Sequence, residues 1–141
     1  MKDFTLFKMK NKLKFLLIQA RKLHDPIIKN ELECFKRILN LGYKNIENLD
    51  ITREIITPKI IKKFDVILVG GSGDYSIAKG GIFMKQTLHI MKFLYENSKP
   101  TFASCWGFQA MAKAMGGDVI NNLELAELGT IKLELTNEGK K

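Results

Sequence analysis

The chain has 141 residues, of which 45% are hydrophobic and 27% charged. That length suits one domain with a single core, and that balance excludes a disordered or fibrous protein. The net charge is +8, yet the lysines are scattered, and the early group (Lys2, Lys8, Lys10, Lys12, Lys14) is only thinly interleaved with aromatics. A solvated surface is therefore expected, with no nucleic-acid partner. Cys34 and Cys105 make no disulfide framework and, with two histidines, no zinc-type spacing; no metal or cofactor is expected, and a reducing, cytoplasmic setting is the natural reading. The apolar run over residues 15–18 is too short to span a bilayer or to form a signal-peptide core, so no membrane partner is expected.

Residues 1–12 read as a poorly ordered basic lead-in and 13–141 as the domain. Leu13 to Gln19 is an apolar run of buried-strand length, ended by Ala20-Arg21. His24-Asp25-Pro26 is turn chemistry, with Asp25 as N-cap and Pro26 at the first helical position. Ile28, Leu32, Phe35, Ile38 and Leu39 then share one face of a helix expected to stop at Gly42, with Cys34 beside the stripe as a structural thiol. A weaker strand is expected over 45–50, followed by a loop or short helix to Lys63 that Pro58 interrupts. Residues 64–69, FDVILV, are the strongest strand signal, uninterrupted and β-branched as a central parallel strand should be. They run directly into Gly70-Gly71-Ser72-Gly73-Asp74. A helix over 82–97 carries Phe83, Thr87, Ile90, Met91 and Leu94 on one side. A strand over 101–104 and a helix from Trp106 follow, then a short strand near Val119. Thr130 to Thr136 alternates with period two, the mark of a half-exposed strand.

Strands alternating with helices predict a three-layer, flavodoxin-like α/β domain with a mostly parallel central sheet. Sites in such sheets form at the carboxyl ends of the strands. The glycine loop 70–74 and Cys105 both lie at such ends, so they can face one pocket.

Cys105 stands where the strand behind Pro100 turns at once into a helix whose apolar positions are Ala110, Met111, Ala114 and Met115, before the Gly116-Gly117 stop. A thiol on that corner sits at the positive end of a helix dipole, with backbone N–H groups free to meet an oxyanion. The pattern is a nucleophile elbow with cysteine in place of serine, and Gly107 is the side-chain-free residue so sharp a turn needs. The bland alternative is a buried structural cysteine. The glycine loop lacks the spacing of a P-loop and falls too late for a dinucleotide fingerprint. It reads either as an oxyanion loop or as a turn needing positive φ. Gln109, one helical turn after Cys105, can hydrogen-bond a polar substrate or simply face solvent.

The combination FDVILVGGSGD, then Cys105-Trp106-Gly107-Phe108-Gln109, Gly116-Gly117 and Glu127-Leu128-Gly129 resembles the class I (triad-type) glutamine amidotransferases, from Leu13 onward. Within these it is similar to stand-alone proteins like the glutaminase domain of GMP synthase; Gln19-Ala20-Arg21 and Glu33-Cys34-Phe35 also fit that subgroup. The resemblance implies that Cys105 attacks the carboxamide of glutamine to give a thioester and ammonia, that the N–H groups of Gly71 and Trp106 hold the oxyanion, and that Gln109 contacts the bound glutamine. Ala103 stands where the family usually has Gly. The family's base is a histidine followed two residues later by a glutamate, well downstream of the Glu-x-Gly segment. The resemblance therefore makes this sequence an N-terminal portion, truncated before that pair, with activity impaired or completed by a partner chain. His24, in a turn, and His89, on a helix, are expected to be non-catalytic.

Two other readings stand beside it. One is a catalytically inactive binding or regulatory module of the same fold. The other is a DJ-1/PfpI-like cysteine protein, which shares the architecture.

Overall fold

The structure, a computed structural model, describes residues 12–122, 124, 130, 132 and 134–140. Five apolar-rich residues, Phe15–Gln19, form β1, and every one of them is buried. A strand buried on both faces must lie inside a sheet covered by helices on each side. β1 does: it pairs in parallel with β2 (Ile46–Asp50) on one side and with β3 (Val66–Val69) on the other. β3 pairs in turn with β4 (Thr101–Ala103), again in parallel, giving the order β2-β1-β3-β4.

The alternation of side chains along the strands splits the core in two. Phe15 and Leu17 of β1 join Ile46 and Leu68 on the face covered by α1 (Ile27–Leu39), through Leu32, Phe35 and Leu39. Leu16, Ile18, Ile67 and Val69 point the other way. They pack against α2 (Pro58–Ile61), α3 (Met84–Glu96) and α4 (Trp106–Ala114), through Ile61, Ile90, Met91, Leu94, Trp106 and Ala110. This is the expected three-layer α/β architecture, with a sheet that is parallel throughout the described strands.

Local boundaries differ from the sequence reading where polar chemistry overrides pattern. The chain leaves α1 at Asn40, whose left-handed conformation (φ 53) stops the helix before Gly42 is reached, since Asn tolerates that region. At its start the Asp25 carboxylate accepts the Ile27 N–H at 2.8 Å, with Pro26 at the cap position. Ile38 falls outside the buried stripe and is 76% exposed, while Lys36 is buried, its ammonium bonded to Glu33 and set over the Tyr43 ring. Pro58 begins α2 instead of interrupting it, with Thr57 accepting the Ile60 N–H as cap. No strand forms at Val119, and the described residues among 130–136 carry none. The rest of that segment, the Glu127-Leu128-Gly129 motif and residues 1–11 lie outside the described residues.

The order of the strands singles out one place at the carboxyl edge of the sheet. The chain leaves β1 toward β2 and leaves β3 toward β4, in opposite directions across the sheet. The carboxyl ends of β1 and β3 therefore flank a topological switch point, where connections diverge and leave room for a ligand.

Candidate active site

Cys105 is exposed and sits between β4 and α4 with φ 49 and ψ −112. An L-residue is strained there, and such strain persists only where the surroundings impose it. They are visible on both sides. Ser104 donates its N–H to the Val69 carbonyl, and Gly107 donates to the carbonyls of Gly70 and Ser104 at 3.1 and 2.9 Å. Gly107 is also where α4 presses closest to β3: a Cβ built there would lie 2.7 Å from both Cγ1 and the carbonyl oxygen of Val69. The elbow thus needs Gly107 for close approach, not for positive φ.

The glycine loop faces this corner. A Cβ on Gly71 would lie 3.6 Å from the Cys105 Cβ and 3.9 Å from its Sγ. The two loops singled out by the sequence meet at one place. The same point above Gly71 lies 3.7 Å from Nη2 of Arg21, a side chain 90% buried beneath the loop. Lys22 grips the far end of the loop through a 2.8 Å ion pair with Asp74; the hydrogen bond that its ammonium donates to the Asp74 carboxylate, and then the charge of that carboxylate, raise the Lys22 ammonium above the ordinary lysine value.

The expected donors divide. Trp106 opens α4, where the first N–H groups lack intrahelical acceptors, and its N–H meets no acceptor among the described residues. Its indole is core, tilted against Phe83 with centroids 6.3 Å apart, and its buried Nε1 has no partner among the described residues. The Gly71 N–H is instead committed to Oε1 of Glu31, at 2.9 Å, so the second oxyanion donor expected of it is not formed in this structure. Gln109 is exposed on α4, its backbone N–H bonded to the Cys105 carbonyl. His24 and His89 are exposed, and neither bonds Cys105. Cys34 is half-buried on α1, its thiol donating to Asn30 at 3.3 Å.

Sequence reasoning missed Glu31 as a site residue. Its other oxygen accepts Gln19 Nε2 at 2.8 Å and lies 3.6 Å from Arg21 Nη2. The signal was present: Glu31 shares the face of Ile28 and Phe35, so a charge interrupts an otherwise apolar stripe. Among the described residues no group of three acidic, His or Cys side chains is placed to hold a metal ion, and no helix is long and apolar enough to cross a membrane.

These features define a class: parallel α/β proteins with an exposed cysteine on a strained strand-to-helix corner, opposite a glycine loop. The family model for class-I glutamine amidotransferases matches residues 27–140, and the chain belongs to that family. A similar protein is a subunit of the glutamine-hydrolysing GMP synthase of Sulfurisphaera tokodaii, 28% identical over 103 residues. The match takes in 70% of this chain and 52% of the relative, so the chain spans about half the length of that protein. No solved structure matches the chain significantly.

Proposed function

We propose that the protein takes glutamine as substrate and that Cys105 is its nucleophile. The thiolate adds to the side-chain carboxamide carbon, and the resulting oxyanion is held by the Trp106 N–H at the start of α4. Collapse breaks the C–N bond, leaving a γ-glutamyl thioester on Cys105 and, with one proton taken up, ammonia. Water then cleaves the thioester to glutamate and returns the thiol. Gln109, exposed one turn along α4, faces the bound glutamine.

The observation that supports this reading is the strained, exposed Cys105 set against Gly71 in a chain of this family. Proton transfer needs an imidazole that neither His24 nor His89 is placed to supply, so it comes from outside these 141 residues, from further along the same protein or from a partner chain. Without it, general acid–base help worth about 10² to 10⁴ in rate is missing. Both cysteines are free, which suits a reducing cytoplasm.

The test uses the chain alone. A diazoketone analogue of glutamine is expected to add one equivalent of mass at Cys105 and none in Cys105→Ser. Ammonia release from glutamine is expected to be slow and to rise with added free imidazole. Labelling elsewhere, or none, would overturn the assignment. A second reading, a binding module without turnover, is favoured by the engagement of the Gly71 N–H with Glu31. It predicts glutamine binding with no ammonia at any imidazole concentration.

A further inference from the structure

We propose that Glu31 is a positioning residue for Cys105, acting through the single peptide plane that joins Gly70 to Gly71. That plane is held at both ends. Its N–H, on Gly71, is bonded to Glu31 of α1 at 2.9 Å, and its carbonyl, on Gly70, accepts the Gly107 N–H of α4 at 3.1 Å. One rigid unit therefore ties a helix on one face of the sheet to the helix that carries the elbow on the other.

Three further facts say that the carboxylate is built into this role. A Cβ on Gly70 would meet Glu31 Oε1 at 2.5 Å, so Gly70 is bare because the carboxylate occupies the space beside its Cα. The second carboxylate oxygen is held by Gln19 Nε2 at 2.8 Å, with Arg21 Nη2 at 3.6 Å, so Glu31 cannot turn away without leaving an amide and a guanidinium short of a partner. Gln19 is fixed in turn by Asn48, which donates to its Oε1 at 3.2 Å, and by the Ile28 carbonyl, which accepts from its Nε2 at 3.1 Å. The chain of contacts runs from β2 through Gln19 and Glu31 to the glycine loop and ends at Gly107, two residues from the nucleophile. Glu31 touches no substrate atom in this scheme. It sets where the loop and the elbow stand relative to each other, and a displacement of about 1 Å in such a site costs on the order of 10²-fold in rate.

The inference rests on the glutamine reading above, and its test separates the two. Wild type, Glu31→Ala and Glu31→Gln are compared for labelling of Cys105 by the glutamine diazoketone, which needs an aligned site, and by iodoacetamide, which needs only an accessible thiol. Glu31→Ala is expected to slow the diazoketone on the order of 10²-fold and iodoacetamide by less than about twofold. Glu31→Gln keeps the shape and one acceptor oxygen, and is expected to recover most of the loss. Equal slowing of both reagents, or no slowing of either, would overturn the role. The Gly71 amide provides a readout independent of glutamine: its hydrogen exchange is expected to be slow in wild type and fast in Glu31→Ala. If wild type accepts iodoacetamide but not the diazoketone, the substrate reading fails. The positioning role then stands or falls on that amide, and equal exchange in the two proteins refutes it. Should Glu31→Ala not fold, Glu31→Leu, which fills the space but offers the Gly71 N–H no acceptor, is read by the same ratio of reagents and the same amide exchange.

Discussion

Replacing Gly107 by Ala tests the elbow with one methyl group. The added carbon would lie 2.7 Å from Val69 Cγ1, 2.7 Å from the Val69 carbonyl oxygen and 2.8 Å from Val69 Cβ. Val69 is fully buried and registered between Ile18 and Ala103, so it cannot retreat without disturbing two strand pairings. Overpacking of this kind costs about 1–3 kcal/mol, and the backbone oxygen among the contacts puts the cost near the upper end. The gain in helix propensity on replacing Gly returns about 1 kcal/mol. The net loss is about 2 kcal/mol, equivalent to a fall in Tm of about 8 °C for a domain of this size. Thermal and urea unfolding followed by circular dichroism measure it, with an unchanged m-value showing that the denatured state is unaltered. Because the clash includes main chain, adding Val69→Ala recovers only part of the loss. A Gly107→Ala protein melting within about 2 °C of wild type, a margin well under 1 kcal/mol, would refute the close approach of α4 to β3.

Two further outcomes are expected. Cys105→Gly removes the cost of holding an L-residue at φ 49, so the variant should be more stable by about 1 kcal/mol while losing all labelling by the glutamine analogue; a loss of stability would mean that the corner is not strained. The Tyr43 hydroxyl, donating to Glu33 at 2.8 Å, and then the Lys36 ammonium, hold the Glu33 carboxyl below the ordinary glutamate range. A depressed carboxyl contributes stability above its unfolded value and loses it as pH falls through the folded one. Glu33→Gln should therefore lower the urea midpoint at neutral pH and leave it unchanged once the wild-type carboxyl is protonated. A deficit that persists in acid would refute the pairing.

Much of this was legible from residue pattern because the relevant physics is local or periodic. The buried runs at 15–19 and 66–69, and the apolar spacing of Thr87, Ile90, Met91 and Leu94, report one-dimensional periods that burial must obey. The turn residues after β3 and β4 mark the two loops that meet at Gly71 and Cys105. What sequence could not supply was the direction of a single N–H. Gly71 reads as an oxyanion donor until Glu31, forty residues earlier, is seen to hold its amide. The stop at Asn40 was hidden for another reason: Asn and Gly both accept the left-handed region, and pattern alone favoured the glycine.

The two faces of the sheet are unequally anchored. α1 rests on the smaller of the two core clusters, through side chains that are only half-buried, while α3 and α4 share the larger one. Native-state openings begin where apolar burial is thinnest, so the layer that carries Glu31 is the one expected to lift first. Lifting it would free the Gly71 amide without unfolding the elbow. The free energy of docking one thin helical layer would then set how often the glycine loop and the elbow lose the alignment that Glu31 imposes.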